Sequence, residues 1–367
     1  MADVIIAGAG LAGSVSARVL AEKGAHVLVL EERSHIGGNC YDVLSPEGIR
    51  VHQYGPHLFH TSNEDVWDFL SRFTQWTPYE HKVKAHINGV NAPLPFNFNS
   101  LRVLFPPQEA QKFIDALLGH YAPNTKVAIL ELKQHPNPLL QKLADFVYEK
   151  VFVGYTAKQW GIRPEELDGA VTARVPVFVG EDDRYFNDTF QAVPKEGYAK
   201  LFENLLNHPN ITLKLATPFV FDPASSMRVI YTGMLDRLFD YCYGELPYRS
   251  IHLEFETINK IWFQDAATVN YPNDYDFTRI TEFKHIHAAK SQKTVILKEF
   301  PCLHVKNKTE PYYPFFTQNA QALYACYANH AKQYPNLLLL GRLAEYKYYD
   351  MDDVVEKALQ TATRVEK

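Results

Sequence analysis

The first hundred residues alternate between short apolar runs and one helical stripe. "VIIA" at residues 4–7 reads as a buried strand. A helix follows through Ala17, Val19 and Leu20 and stops near Gly24. "HVLVLEE", residues 26–32, then predicts a second strand ending in Glu31. From about 100 to 170 the period becomes helical. In "LLQKLADFVYEKVF" the apolar positions 139, 143, 146, 147 and 151 match one helix face, and prolines at 106–107 and 136–138 divide the helices. From about 245 to 300 the period is two: "HLEFETI" and "TVILKEF" read as strands. "NITLKLATPF" and "RVIYTG" look like a pair of strands returning to the first unit, and "NLLLLG" with the helix "DDVVEKALQTA" closes it. The pattern predicts an α/β protein with a discontinuous Rossmann-like domain, a helical insert and an antiparallel β-sheet domain.

Glycine placement turns the first strand and helix into candidate chemistry. Gly8, Gly10 and Gly13 have GxGxxG spacing directly after the strand. The first permits the tight turn, the second admits a pyrophosphate to the backbone, and the third lets helix pack on strand. The helix N-terminus then faces the phosphates. Glu31 falls eighteen residues beyond Gly13, where a ribose-binding carboxylate belongs. "EERSHIGGN" adds an arginine and the pair Gly37–Gly38, a feature of FAD proteins of the glutathione-reductase and amine-oxidase type rather than of NAD dehydrogenases.

Composition narrows the classes. The 367 residues suffice for two or three domains. A net charge of -5 weighs against nucleic acid as partner. Aromatic content of 13% suits stacking on flat ligands, and equally an aromatic core. Cys40, Cys242, Cys302 and Cys326 have neither metal-ligand nor disulfide-framework spacing. His57 and His60 in "HLFH" have no third ligand nearby, so a loop against the cofactor is expected, not a metal site. No apolar stretch is long enough to span a bilayer, which leads us to expect a cytoplasmic protein without a membrane partner. In "GRLAEYKYYDMDD", Asp350 is expected to cap the last helix with Asp353 in the box position.

Taken together, "GAGLAG", "HIGGN", "YGPHLFHT", "LPFN", "GYTAKQWG", "EPYYP" and "GRLAEYKYYDM" resemble the bacterial UDP-galactopyranose mutases over nearly the whole chain. The resemblance implies an isomerase, an intramolecular transferase, that interconverts UDP-galactopyranose and UDP-galactofuranose without net redox change. It implies FAD in its reduced form, whose N5 attacks the anomeric carbon as UDP departs. It implies Arg174, Arg279 and His60 as catalytic residues. Substrate contacts would come from Phe152, Tyr155, Trp160, Arg174, Tyr185, Asn270, Arg279, Tyr313 and Tyr348. Cofactor contacts would come from Gly8, Gly10, Leu11, Ala12, Gly13, Glu31, Glu32, Gly38, Asn39, His57, Arg342, Tyr348, Asp350 and Met351.

In this picture arginines clamp the leaving diphosphate and tyrosines add neutral donors. Phe152 and Tyr155 form a flat surface for uracil. Trp160 and the segment around Arg174 form a lid that excludes water. Local pairings compete with two of these roles: Arg279 with Glu282, and Arg342 with Glu345. The expected division places FAD on 1–78, 194–240 and 318–367, with a helical unit at 96–170. A sheet unit takes 79–95, 171–193 and 241–317, with a mobile lid near 162–176. The resemblance also implies a homodimer, a supply of electrons from NAD(P)H or a reductase, and a product destined for cell-surface polysaccharide.

Two other classes share part of the pattern. An FAD oxidase of the amine-oxidase type would have the same glycine turn and Glu31 but no need of two arginines on a diphosphate. A flavin-free binding module, as in the Rab-escort proteins, has no use for the intact glycine pattern. Glu31→Ala is expected to weaken FAD retention; flavin that stays bound through repeated gel filtration would refute that role.

Overall fold

A computed structural model of the chain describes residues 2–161 and 176–364. A five-stranded parallel sheet has the spatial order Ile211–Lys214, Val27–Leu30, Val4–Ala7, Arg228–Tyr231, Leu337–Leu339. The strand Val4–Ala7 is central, and the chain leaves it first to one side and later to the other. Its carboxyl end is therefore a topological switch point, where α/β sheets bind ligands. The segments expected as a strand pair, 210–219 and 228–233, both join this sheet but do not pair with each other. They flank the sheet's first two strands. The reason is that a parallel sheet separates sequence neighbours by crossovers, which no local pattern shows.

The helix Leu11–Glu22 buries Val15, Ala17 and Leu20, and the last helix, Met351–Arg364, packs beside it through Val355, Ala358 and Ala362. The close approach is backbone-limited. A Cβ on Gly13 would lie 1.9 Å from the Gly8 carbonyl oxygen, and one on Gly8, at φ +108°, would lie 2.2 Å from Thr232 Oγ1. Thr232 donates that hydroxyl to the Ala7 carbonyl at 2.7 Å, tying the second crossover strand to the turn.

The helical insert contains Phe98–Leu104, Pro107–His120 and Pro138–Val147, around a core of Phe96, Phe113, Leu117, Leu140 and Leu143. Both proline joints act as helix starts, Pro107 and Pro138 each standing at the first position. One π-helical stretch, Tyr148–Val153, runs into the helix Gly154–Trp160. Between residues 122 and 138 the chain makes a short strand, Lys126–Ala128, and a five-residue helix, Ile129–Lys133.

Seven strands form the third unit, in the order Tyr313–Pro314, Tyr248–Ile258, Thr294–Leu303, Arg279–Glu282, Thr268–Asn270, Val83–Ile87, Val90–Leu94. The expectation of an antiparallel sheet needs one correction. Thr268–Asn270 runs parallel to Val83–Ile87, because the chain reaches these neighbours through a long excursion rather than a hairpin. A core of Ile49, Val51, Val193, Phe283, Val295 and Leu297 joins this sheet to segments of the nucleotide unit.

Gly13→Ala should destabilise the fold by about 1–3 kcal/mol through overpacking, measured by denaturant unfolding. A variant as stable as the parent would mean that helix and turn can separate without cost.

Candidate active site

A cavity of about 970 Å³ opens at the carboxyl end of the central strand. Of the expected cofactor residues, all but Gly13 and Tyr348 line it: Gly8, Gly10, Leu11, Ala12, Glu31, Glu32, Gly38, Asn39, His57, Arg342, Asp350 and Met351. Gly13 serves packing instead, as its contact with Gly8 shows. Gly10 differs from its neighbours. A Cβ there would meet nothing closer than Gly38 Cα at 3.7 Å, so the space it leaves belongs to the cavity. Gly10 caps the helix without any side-chain bond, which leaves the first-turn amides facing outward to bind an anion.

Glu31 is 5% exposed. One oxygen accepts the Ala9 amide at 2.7 Å and the other accepts the Arg33 amide at 2.9 Å. The carboxylate thus fixes the glycine turn as well as facing the cavity. Glu32 pairs with Arg237 at 2.8 Å. Arg33 donates to Asn39 Oδ1 at 3.0 Å and to Glu310 at 2.6 Å, so an ion pair links two walls of the cavity. Asp350 donates its amide to Asp353 Oδ2 at 2.9 Å, the reciprocal half of the expected capping box.

Beside the cavity stands a second constellation. Asn270, Arg279 and Glu299 face one another on three adjacent strands, so their side chains share one face. Arg279 donates Nε to Glu299, itself 2% exposed, at 2.7 Å. The expected rival Glu282 is not its partner. Residues three apart on a strand point to opposite faces, and Glu282 instead accepts the Phe263 and Gln264 amides. Burial alone would lower the Arg279 pKa; Glu299, with the Tyr155 and Tyr313 phenols nearby, reverses this and holds it well above its ordinary value. The Asn270 Oδ1 is buried with no hydrogen-bond partner among the described residues. An orphaned acceptor in a polar cleft is what a ligand hydroxyl or amide would satisfy.

Arg342 connects the two sites. It lines the cavity, and its guanidinium lies 4.8 Å from the Tyr313 ring centre and 5.4 Å from that of Tyr348. Those two rings stack at 5.5 Å and 13°. The expected alternative, a pair with Glu345, is not formed. Arg342 donates to the Tyr349 and Tyr312 carbonyls, while Glu345 accepts from the Gly341 amide and the Tyr349 hydroxyl. The tight turn after Gly341, at φ +93°, directs Glu345 back to its own backbone and leaves Arg342 to the cavity.

Other expected contacts are distributed unevenly. Tyr155 is half-buried and its phenol pKa is raised by burial. Phe152 is 2% exposed and tilts against Tyr148, so Tyr155 offers the more open ring. Tyr185 is exposed and donates its amide to the His81 carbonyl. His60 does not line the cavity. It bonds Asp188 at 2.9 Å and stacks on Phe186 at 3.7 Å. Arg174, the side chain of Trp160 and the expected lid, apart from Pro176, lie outside the described residues.

Comparison with known proteins agrees with this geometry. A family model described as UDP-galactopyranose mutase matches residues 150–348, and one described as NAD(P)-binding Rossmann-like domain matches residues 6–73. The UDP-galactopyranose mutase of Mycoplasma pneumoniae is 36% identical, over 99% of this chain and 96% of its own. The chain belongs to the UDP-galactopyranose mutase family. As a UDP-galactopyranose mutase family member it is an enzyme, an isomerase, with an FAD-type dinucleotide cofactor. A probable UDP-galactopyranose mutase of Klebsiella pneumoniae is 37% identical over 98% of this chain and 94% of its own. A dTDP-fucopyranose mutase of Escherichia coli is 35% identical over 99% of this chain and 98% of its own. Among solved structures, a reduced UDP-galactopyranose mutase shares the fold with a TM-score of 0.72 at 16% identity, covering 99% of this chain and 95% of that one. A putrescine oxidase shares it at 0.57 and 10% identity, covering 99% and 98%. The mutase family is thus built on a fold that it shares with flavin oxidases.

Sequence reasoning missed Glu299, the buried partner of Arg279. Its position in "ILKEF", one polar residue at an inward place of a strand, was the available signal. It also missed His81, buried against Tyr79, Tyr185 and Phe186. Burial, with Arg279 and His60 adding to it, lowers the His81 pKa to about 3. His57 and His287 are lowered to about 4, and His52 falls well below 6.5, in each case chiefly by burial.

These imidazoles are neutral when folded, whereas the unfolded chain takes up protons below about 6.5. Stability should therefore fall as pH drops from about 6.5 towards 4. Urea midpoints measured across that range test this; a flat profile would show that the histidines are not buried neutral.

Proposed function

We propose that this chain interconverts UDP-galactopyranose and UDP-galactofuranose with FAD held in its reduced form. The observation that carries the reading is Arg342, which lines the dinucleotide cavity while its guanidinium packs against Tyr313 and Tyr348. A cofactor site and an anion-ready site thus meet at one side chain. The fit to FAD rests on the open space at Gly10, the outward first-turn amides and the Gly37–Gly38 turn. When bound, the reduced flavin supplies the nucleophile for the anomeric carbon.

The chain's own residues do the rest. Arg279, charged and oriented by Glu299, steadies the negative charge that grows on the leaving diphosphate, with Arg174 as its expected second clamp. Tyr155, Tyr185, Tyr313 and Tyr348 give neutral hydroxyl donors around the same place. Asn270 takes a substrate donor at its orphaned oxygen. Phe152 and Tyr155 hold the base, and Trp160 with the segment around Arg174 excludes water. His60, oriented by its bond to Asp188, is carried as the third catalytic residue of this reading.

The same reading takes a homodimer in the cytoplasm, with NAD(P)H or a reductase supplying the electrons, and domains at the boundaries expected from the sequence. No helix among the described residues is long and apolar enough to cross a membrane. One observation favours a second substrate: the Escherichia coli relative is named a dTDP-fucopyranose mutase and matches nearly as well. The test is incubation of the dithionite-reduced protein with UDP-galactofuranose, and separately with dTDP-fucopyranose, followed by chromatographic separation. Conversion of the first supports the proposal. Conversion of the second alone replaces the substrate, and conversion of neither refutes the mutase reading. Arg279→Ala should retain FAD and raise the barrier by about 2.7–4 kcal/mol, seen in kcat/KM; near-normal turnover would exclude Arg279 from the clamp.

A further inference from the structure

His52 ends the short strand Arg50–His52 and is fully buried. Its Nδ1 accepts the His57 amide at 2.9 Å. Its Nε2 lies 2.9 Å from Nε2 of His287, which follows the turn Phe283–His285 behind the seven-stranded sheet. A nitrogen that accepts a backbone N–H carries no proton, so neutral His52 has its proton on Nε2. It must then donate to His287, whose own proton is on Nδ1. Arg50, His57 and His287 all disfavour an extra proton on His52, and burial adds to this. The proton order is fixed: His52 to His287 on one side, His57 amide to His52 on the other.

This excludes the obvious competing use of the cluster. Asp42, His52 and His287 bring their ligand atoms within 4.8 Å of one another, as a metal site would. A metal needs a lone pair on His52 Nε2, but that atom carries the proton. Asp42 already accepts the Tyr198 and Ala199 amides, and Arg50 stands 3.4 Å from its carboxylate. A second cation there would be repelled by the first.

We propose that His52 is a positioning residue for His57: its Nδ1 lone pair holds the His57 amide, and its Nε2 proton goes to His287. His57 lines the cofactor cavity beside the glycine turn, whereas the cavity's other lining histidine, His304, stands with Lys306 and Thr309. The His57 side-chain Nδ1 donates to the Gly55 carbonyl at 2.9 Å, which leaves Nε2 as an acceptor. The turn that carries it includes Gly55 at φ +92°, where a Cβ would meet nothing within 4 Å. The bond from the His57 amide to His52 anchors this turn to the core, beside its internal bond from His57 Nδ1 to Gly55. The contact with His287 orients the His52 ring, while the Nδ1 acceptor alone holds the His57 amide. The inference rests on the FAD reading of that cavity.

Two substitutions separate positioning from packing in the FAD-loaded protein. His52→Asn keeps an acceptor near Nδ1, and His52→Gln keeps an amide near Nε2 but loses the acceptor. The flavin absorption bands, the flavin reduction potential, kcat and KM are measured for each. His52→Asn should match the parent. His52→Gln should retain FAD yet shift the bands and the potential, and lower kcat by up to about 100-fold with KM unchanged. Two variants that both match the parent overturn the proposal; so do two that lose activity and melting temperature alike, since that is packing. Should neither fold, ¹⁵N NMR of the histidine-labelled parent decides: a proton on His52 Nδ1 overturns it, and one on Nε2 supports it. Cobalt(II) that binds with tetrahedral visible bands abolished by His287→Ala overturns it as well. A purified protein without flavin bands refutes the cofactor reading itself, whereas bound flavin that is indifferent to the variants refutes only the role of His52.

Discussion

Everything at the cofactor end depends on how close one backbone can come to another. The Gly8 carbonyl occupies the place where a side chain on Gly13 would begin, and a Cβ on Gly38 would come within 3.0 Å of the Gly10 Cα. These contacts bring helix, strand and the Gly37–Gly38 turn together tightly enough to make a cradle of bare amides. Glu31 then locks the turn by accepting the Ala9 and Arg33 amides. Shape here comes from missing atoms, and the carboxylate stabilises a backbone that would otherwise have unsatisfied donors.

A different physics governs the substrate side. Arg279 is useful because its charge is both certain and aimed. Glu299 supports the charge and takes Nε, so the guanidinium is oriented by a fixed partner. A buried pair of this kind adds little to stability after desolvation, so its value is orientation. Four neutral histidines complete the same logic. His52, His57, His81 and His287 are kept uncharged by burial, so the region's positive charge is concentrated on arginines, whose protonation does not vary with pH. Arg342 sits where the two regions meet, its edge in the cavity and its face on Tyr313.

The amino-acid order by itself determined the central strand, the glycine turn, the helix after it and the acid at the end of the second strand, because each is a local pattern with a local cause. Proline positions set the starts of the helices at 107 and 138 for the same reason. It also determined family membership, through short stretches such as "GYTAKQWG" and "GRLAEYKYYDM" that generic nucleotide folds do not need. Tertiary structure alone decided who pairs with whom. Glu299, twenty residues from Arg279, became its partner because two strands happened to align in register, and the nearer Glu282 was turned to the other face. Strands 211–214 and 228–231 were separated by a crossover. His52 met His287 across 235 residues. Such pairings follow from strand register and chain crossing, which are global properties of the packed molecule, and no local period encodes them.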